Sequence, residues 1–213
     1  MADRLPINFD IPAESAIASY NWNDVADGTG NVIFYLLQTN TGYLLHQQPL
    51  PSSGANYEKI YLYGETGSVS LRGTNNYSLP AFTAPRTVKG KAYLELTTGM
   101  NGNSGAGRHG YSIVKVLKNS THQIGTVTTK DWGATDGVYH EVYEISLTET
   151  SFAIGDVLSL QIQVYMQARD AGGSTAYFYG QDPINRDATR IIPSTNPDQF
   201  TTSKVHIPFK IEL

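Results

Sequence analysis

Five histidines, His46, His109, His122, His140 and His206, are the side chains best suited to bind a metal or move a proton, and they do not pair at ligand spacing. No H-x-x-x-H or E-x-x-H run sets an imidazole beside a second donor, so the pattern predicts no zinc centre. With no cysteine in the chain, disulfides and thiolate metal sites are excluded. Local signatures of nucleophilic or nucleotide chemistry are missing too: there is no G-x-S-x-G, no Walker loop and no dinucleotide fingerprint. The run Asn101–Gly107 is glycine-rich, yet it returns to a strand instead of opening a helix, and so reads as a loop tip and not a phosphate cradle.

Carboxylates for glycoside hydrolysis could come only from residues such as Glu95, Glu141 and Glu144, whose separation is not given by their spacing. They read as solvated strand positions. Asp24-x-x-Asp27-Gly28 and Asp182-x-x-Asn185-x-Asp187 place oxygen donors in turn-rich segments of the kind calcium uses, but Asx turns are the ordinary employment of such residues. The expectation is therefore of no catalytic, cofactor-binding or metal-ligating residue, no cofactor, and a protein that is not an enzyme. Aromatic side chains are the other carriers of function. Trp22, Tyr61, Tyr63 and the run Tyr177, Phe178, Tyr179 are candidates to stack on the apolar face of a sugar, or equally to form subunit contacts.

Those rings need flat surfaces, and the chain supplies strands. Charged residues are 16% of the 213 positions while tyrosine alone contributes 14, a balance that favours half-buried β surfaces over amphipathic helices. From Val157 to Gln167, Leu158, Leu160, Ile162, Val164 and Met166 share one face, and Ser159, Gln161, Gln163, Tyr165 and Gln167 the other. Val205, Ile207, Phe209, Ile211 and Leu213 alternate in the same way, with Pro208 predicting an edge position or irregular pairing.

Further strands are expected at Asn31 to Gln38, Glu58 to Tyr63, Ser68 to Leu71, Val88 to Thr97, Tyr111 to Lys118, Gln123 to Thr128, Val138 to Leu147 and Thr175 to Tyr179. Turn residues lie between them, and Thr98 to Gly110 and Gly180 to Ser203 read as long loops. The expected fold is all-β: a single antiparallel β-sandwich, jelly-roll-like and joined by hairpins, over residues 17–213, with an extended N-terminal arm over residues 1–16. In the arm Leu5, Ile7, Phe9 and Ile11 alternate and need cover, from a neighbouring subunit or from the chain's own sandwich. They are the candidate subunit interface.

Net charge is −4 with 15 lysines and arginines, too weak a field to hold a phosphate backbone, so no nucleic-acid partner is expected. No apolar run approaches the roughly 20 residues of a membrane helix and the N-terminus has no leader-like stretch, so no membrane partner is expected either.

Ala16–Tyr20, Asp24–Gly30 running into Val32–Tyr35, the Gly180–Arg186 loop and the closing Ile207–Leu213 together resemble small virion structural proteins of tailed bacteriophages and environmental viruses. Phe152–Leu160 resembles the turn before a late strand in many jelly rolls, carbohydrate-binding modules and trimeric head-domain folds among them. The first resemblance implies a capsid decoration or accessory head component, assembled in the host cytoplasm and located in the virion. Its partners would be further copies of itself and other virion proteins, the major capsid protein above all. The alternative is a carbohydrate-binding sandwich used in host-surface adhesion, with a glycan as its ligand.

Overall fold

A computed structural model of the chain describes residues 18–19, 29–39, 42–48, 57–63, 68–102, 109–132, 137–167, 174–180 and 203–210. All regular structure among them is β-strand: β1 (Ala18–Ser19), β2 (Thr29–Thr39), β3 (Gly42–His46), β4 (Tyr57–Tyr63), β5 (Ser70–Ser78), β6 (Arg86–Gly102), β7 (His109–Lys118), β8 (His122–Thr128), β9 (Gly137–Phe152), β10 (Leu158–Gln167), β11 (Ser174–Gly180) and β12 (Lys204–Lys210). The arm, with Leu5, Ile7, Phe9 and Ile11, lies outside the described residues, as do Trp22, Asp24, Asp27, Asp182 and Asp187.

Strand β10 shows why the chain adopts this fold. Leu158, Leu160, Ile162, Val164 and Met166 are all fully buried, while Gln161, Gln163, Tyr165 and Gln167 stand half-buried on the opposite face. Each such apolar side chain removed from water contributes about 1.5–3 kcal/mol, which only a second layer can supply. Neighbouring β7 buries Ser112, Val114 and Val116 in the same rhythm, and β12 buries Val205 and Ile207.

The strands pair in the order β4-β11-β6-β12-β2-β3-β5-β10-β7-β8, with β9 along β6 and β1 along β2. This path doubles over into a sandwich. One layer holds β5, β10, β7 and β8; the other holds β4, β11, β6, β9, β12, β2 and β3. Between them Tyr43 meets Tyr77 with ring centroids 5.1 Å apart, and a hydrogen bond joins Ser112 on β7 to Tyr177 on β11. On one side the layers are linked by a single parallel bridge, Leu44 to Ser78. On the other, Gly125 of β8 lies against Ile145 and Leu147 of β9, with no ladder between those strands among the described residues.

The sandwich matches expectation, but its wiring does not. Hairpin pairing of consecutive strands is confined, among the described residues, to β1–β2, β2–β3 and β7–β8; the rest of the ladders join strands distant in sequence. Thr98 does not begin a loop either: β6 continues to Gly102, pairing with β9 and β11, and buries Thr97, Thr98 and Met100. Strand β3 escapes period-two reading because Leu44 and Leu45 are adjacent, one exposed and one buried. Strand β12 is central, between β2 and β6. Its register with β2 runs unbroken through Pro208, whereas that with β6 shifts between His206 and Phe209. The missing proline N–H is accommodated by irregular pairing, opposite a β6 bulge where Gly90 takes φ +107°.

Two turns fasten one end of the sandwich. Asn119 and Ser120 both take positive φ, 52° and 61°, the twist a tight β7–β8 hairpin requires. Asn119 then donates through Nδ2 to Asp156 (2.7 Å) and accepts from the Val157 N–H (2.8 Å). Asp156 also accepts from the Ala153 N–H at 2.7 Å and pairs with Lys118 at 2.8 Å. The Asn119 hydrogen bond, then Lys118 and the Ala153 N–H, hold its carboxyl at about 2, below the ordinary 3.8. A lowered folded-state pKa stabilises the fold above the ordinary value, and that stabilisation is lost as pH falls through the folded one. Thermal unfolding measured from pH 4 to 2 is therefore expected to fall more steeply for the native chain than for Asp156→Asn.

Candidate functional site

Register assembles the outer face of the β5-β10-β7-β8 layer in three rows. Leu71, Tyr165 and Tyr111 form the first; Thr74, Gln163, Ile113 and Thr128 the second; Asn76, Gln161, Lys115 and Thr126 the third. A bulge makes the first row. Val164 faces Gly73 but Tyr165 faces Leu71, so Arg72 is the extra residue and Leu71, 46% exposed, comes beside the tyrosines. The Tyr111 and Tyr165 rings stack with centroids 5.4 Å apart and planes 6° from parallel. Gln161 donates through Nε2 to Asn76 Oδ1 at 2.9 Å. Lys115 is the one charge in these rows.

The outer face of β9-β6-β12-β2 has a different character. Its rows are Tyr35, Lys204, Glu95, Val142 and Ile33, His206, Tyr93, Glu144. Glu95 bonds His206 Nε2 at 2.9 Å and Lys204 Nζ at 3.2 Å. Glu144 pairs with Lys91 at 2.9 Å, and its hydrogen bond and charge raise the lysine's pKa. Thr97 Oγ1 and His140 Nδ1 meet at 3.0 Å. Among these neutralised groups stand Val142, 60% exposed, and Tyr93, 38% exposed.

Between the layers, Tyr177 is wholly buried. Ser112 Oγ donates to its hydroxyl at 3.0 Å, the Ser112 N–H bonds Thr129 Oγ1 at 2.8 Å, and Trp132 Nε1 donates to Thr98 Oγ1 at 3.1 Å. Burial pushes the Tyr177 phenol's pKa up, against the hydrogen bonds from Ser112, Thr129 and Thr98. Tyr179 is buried as well, bonded to Asn75 and to Tyr77. These two tyrosines are therefore core, and not the exposed sugar-stacking residues the sequence led us to expect. Tyr61 and Tyr63 lie on β4 opposite Ala176 and Ser174; their side chains and that of Phe178 lie outside the described residues.

The candidate carboxylates are separated or engaged. Glu141 lies on the opposite face of β9 from Glu144 and accepts from the Tyr143 hydroxyl, whose pKa burial and this bond push up. Glu95 and Glu144 share a face, each held by a cation. His109 Nδ1 meets Asp131 Oδ2 at 2.7 Å, and the Gly110 N–H donates to Asp131 Oδ1 at 3.2 Å. Ser112 stands three positions along β7 from His109, on the inward face, so these three do not form a Ser-His-Asp relay. No cluster of three histidine or carboxylate groups among the described residues could hold a metal. Sequence reasoning placed Tyr165 on the wet face of its strand but missed Tyr111 as its stacking partner. Their pairing depends on the β10–β7 register.

No family of known proteins matches the chain, and no curated protein does. Solved structures share its fold. It is similar to a selenomethionine-labelled α-amino acid ester hydrolase at TM-score 0.53 and 13% identity, over 84% of this chain and 36% of that one. An aminopeptidase from the marine sediment archaeon Thaumarchaeota archaeon also matches at TM-score 0.53, with 9% identity over 86% of this chain and 37% of that one. The VP2 subviral particle of infectious bursal disease virus matches at only 0.28, with 9% identity over 80% and 44%, too slight a likeness to bear on function. The chain thus spans about a third of the length of the hydrolases whose fold it shares. These matches correct the expectation that the protein is not an enzyme, which rested on missing local signatures: its sandwich is a fold that hydrolases contain.

Proposed function

We propose that the chain is a structural component of a virus particle, a jelly-roll-like sandwich that meets copies of itself and other particle proteins through the outer face of β9-β6-β12-β2. Val142, 60% exposed beside Tyr93, is the observation that carries this reading. An exposed branched apolar side chain and a ring suit a subunit contact, and Glu95 is already bonded to Lys204 and His206, so covering it strands no lone charge. The resemblance of Ala16–Tyr20, Asp24–Gly30 with Val32–Tyr35, Gly180–Arg186 and Ile207–Leu213 to small virion proteins supports a place in the head, as a decoration or accessory component beside the major capsid protein. Sedimentation of the purified chain, alone and with heads of the virus that encodes it, tests the proposal. Self-association or co-sedimentation is expected, and Val142→Glu should weaken it about tenfold or more, equivalent to about 1.4 kcal/mol. A chain that stays monomeric and in the supernatant, or a variant that associates like the native chain, overturns it.

A further inference from the structure

We infer that the outer face of β5-β10-β7-β8 is a platform for a neutral oligosaccharide, seated along β10 against Tyr165 and Tyr111. The face belongs to the opposite layer from the proposed subunit contact, so the two readings stand or fall separately. Its chemistry selects the ligand. In a chain of net charge −4, these three rows carry Lys115 as their only charge, and so give no field for a polyanion or a nucleic acid. What they offer is amide and hydroxyl groups, from Gln161, Gln163, Asn76, Thr74 and Thr128, beside a stacked pair of phenol rings and Leu71. A pyranose matches that pairing, with a C–H face for the rings and a rim of hydroxyls that both donate and accept.

Geometry agrees with chemistry. Tyr165, Gln163 and Gln161 alternate along one straight strand, so the rows span about 14 Å at roughly 3.4 Å per residue, room for about two or three sugar rings. Gln161 is fixed by its bond to Asn76, which orders the amide before a ligand arrives. The half-buried Gln163 amide makes no hydrogen bond among the described residues and points outward from the middle of the platform. The rings are held against each other, so little freedom is lost when a sugar covers them.

The test is calorimetric titration of the whole chain with neutral hexasaccharides of gluco, manno, galacto and xylo configuration, with an alginate hexamer as the anionic control. At least one neutral sugar is expected to bind with a Kd of roughly 10 μM to 1 mM, and alginate not to bind. Tyr165→Ala should weaken binding about tenfold or more, Tyr165→Phe should retain it, and Val142→Glu on the other layer should bind as the native chain does. Gln163→Ala, a half-exposed change that leaves the ring stack alone, should weaken binding severalfold and keeps the test decisive if Tyr165→Ala unfolds. Absence of any neutral binding at about 5 mM, tighter binding of alginate, unchanged affinity in a folded Tyr165→Ala, or unchanged affinity in Gln163→Ala where Tyr165→Ala does not fold, overturns the inference.

Discussion

Gly125→Val is expected to lower the unfolding temperature by about 4–12 °C, corresponding to about 2–3 kcal/mol in a domain of this size. A Cβ at Gly125 would stand 2.6 Å from Leu147 Cδ2, 2.9 Å from Ile145 Cγ2 and 3.1 Å from the Ser146 carbonyl oxygen. The leucine methyl can swing aside, but the Ser146 carbonyl is backbone and the Ile145 side chain is fully buried. Strand β8 must therefore move away from β9. Among the described residues its one ladder is with β7, already interrupted between Val116 and Leu117, so displacement opens the seam where β8 meets β9 without a ladder, close to the hydrogen bond from the Lys130 N–H to the Tyr143 hydroxyl at 3.2 Å. Gly125→Ala should shift in the same direction by less. Calorimetry measures the shift, and hydrogen exchange should show β8 loosening while β12 keeps its protection. An unchanged melting temperature would mean that the layers do not meet closely there.

Residue periodicity made some of this fold legible and not the rest, for reasons visible at particular positions. Leu158 to Met166 and Val205 to Ile207 carry a period of two whose apolar members are all buried, because each strand has one face on the core and one away from it. Alternation cannot say which strand lies beside which. Ladders such as β12 with β6 join residues far apart in the chain, and nothing local in either strand encodes the partner. Tyr177, Phe178 and Tyr179 offered no polar alternation to mark an inner face, and the polarity of Thr98 gave no sign that its hydroxyl is satisfied inside the sandwich. The candidate sugar platform was half legible for the same reason: Tyr165 and Gln163 lie on one readable strand, while Tyr111 and Leu71 reach them through registers with β7 and β5. A search for local motifs is equally blind to any site assembled from distant strands. That is why the expectation of a non-enzyme gave way once the fold could be set beside hydrolases.

Tyr177 provides the second large effect, and its two variants separate packing from hydrogen bonding. Tyr177→Ala should cost about 3–5 kcal/mol, the usual range for deleting a buried aromatic ring. The surroundings cannot collapse to fill the space cheaply, because Gly110 already lets the ring approach so closely that a Cβ there would lie 3.1 Å from Tyr177 Cδ2 and 2.9 Å from Met100 Sδ. Tyr177→Phe keeps the ring and removes the hydroxyl that receives the Ser112 hydrogen bond at 3.0 Å. Ser112 is fully buried, so its hydroxyl must then re-aim or remain unsatisfied, at about 1–3 kcal/mol. Urea unfolding should show both as a lower midpoint at constant slope, in the order native, Tyr177→Phe, Tyr177→Ala. A neutral Tyr177→Phe would show that the hydroxyl is dispensable to the interior. Because this ring lies between the layers, Tyr177→Phe should leave sugar affinity at the outer face unchanged while it weakens the fold, and Tyr165→Ala should show the reverse emphasis, large in affinity and small in stability. That crossed pattern distinguishes a tyrosine that holds the sandwich together from one that the sandwich holds out to a ligand.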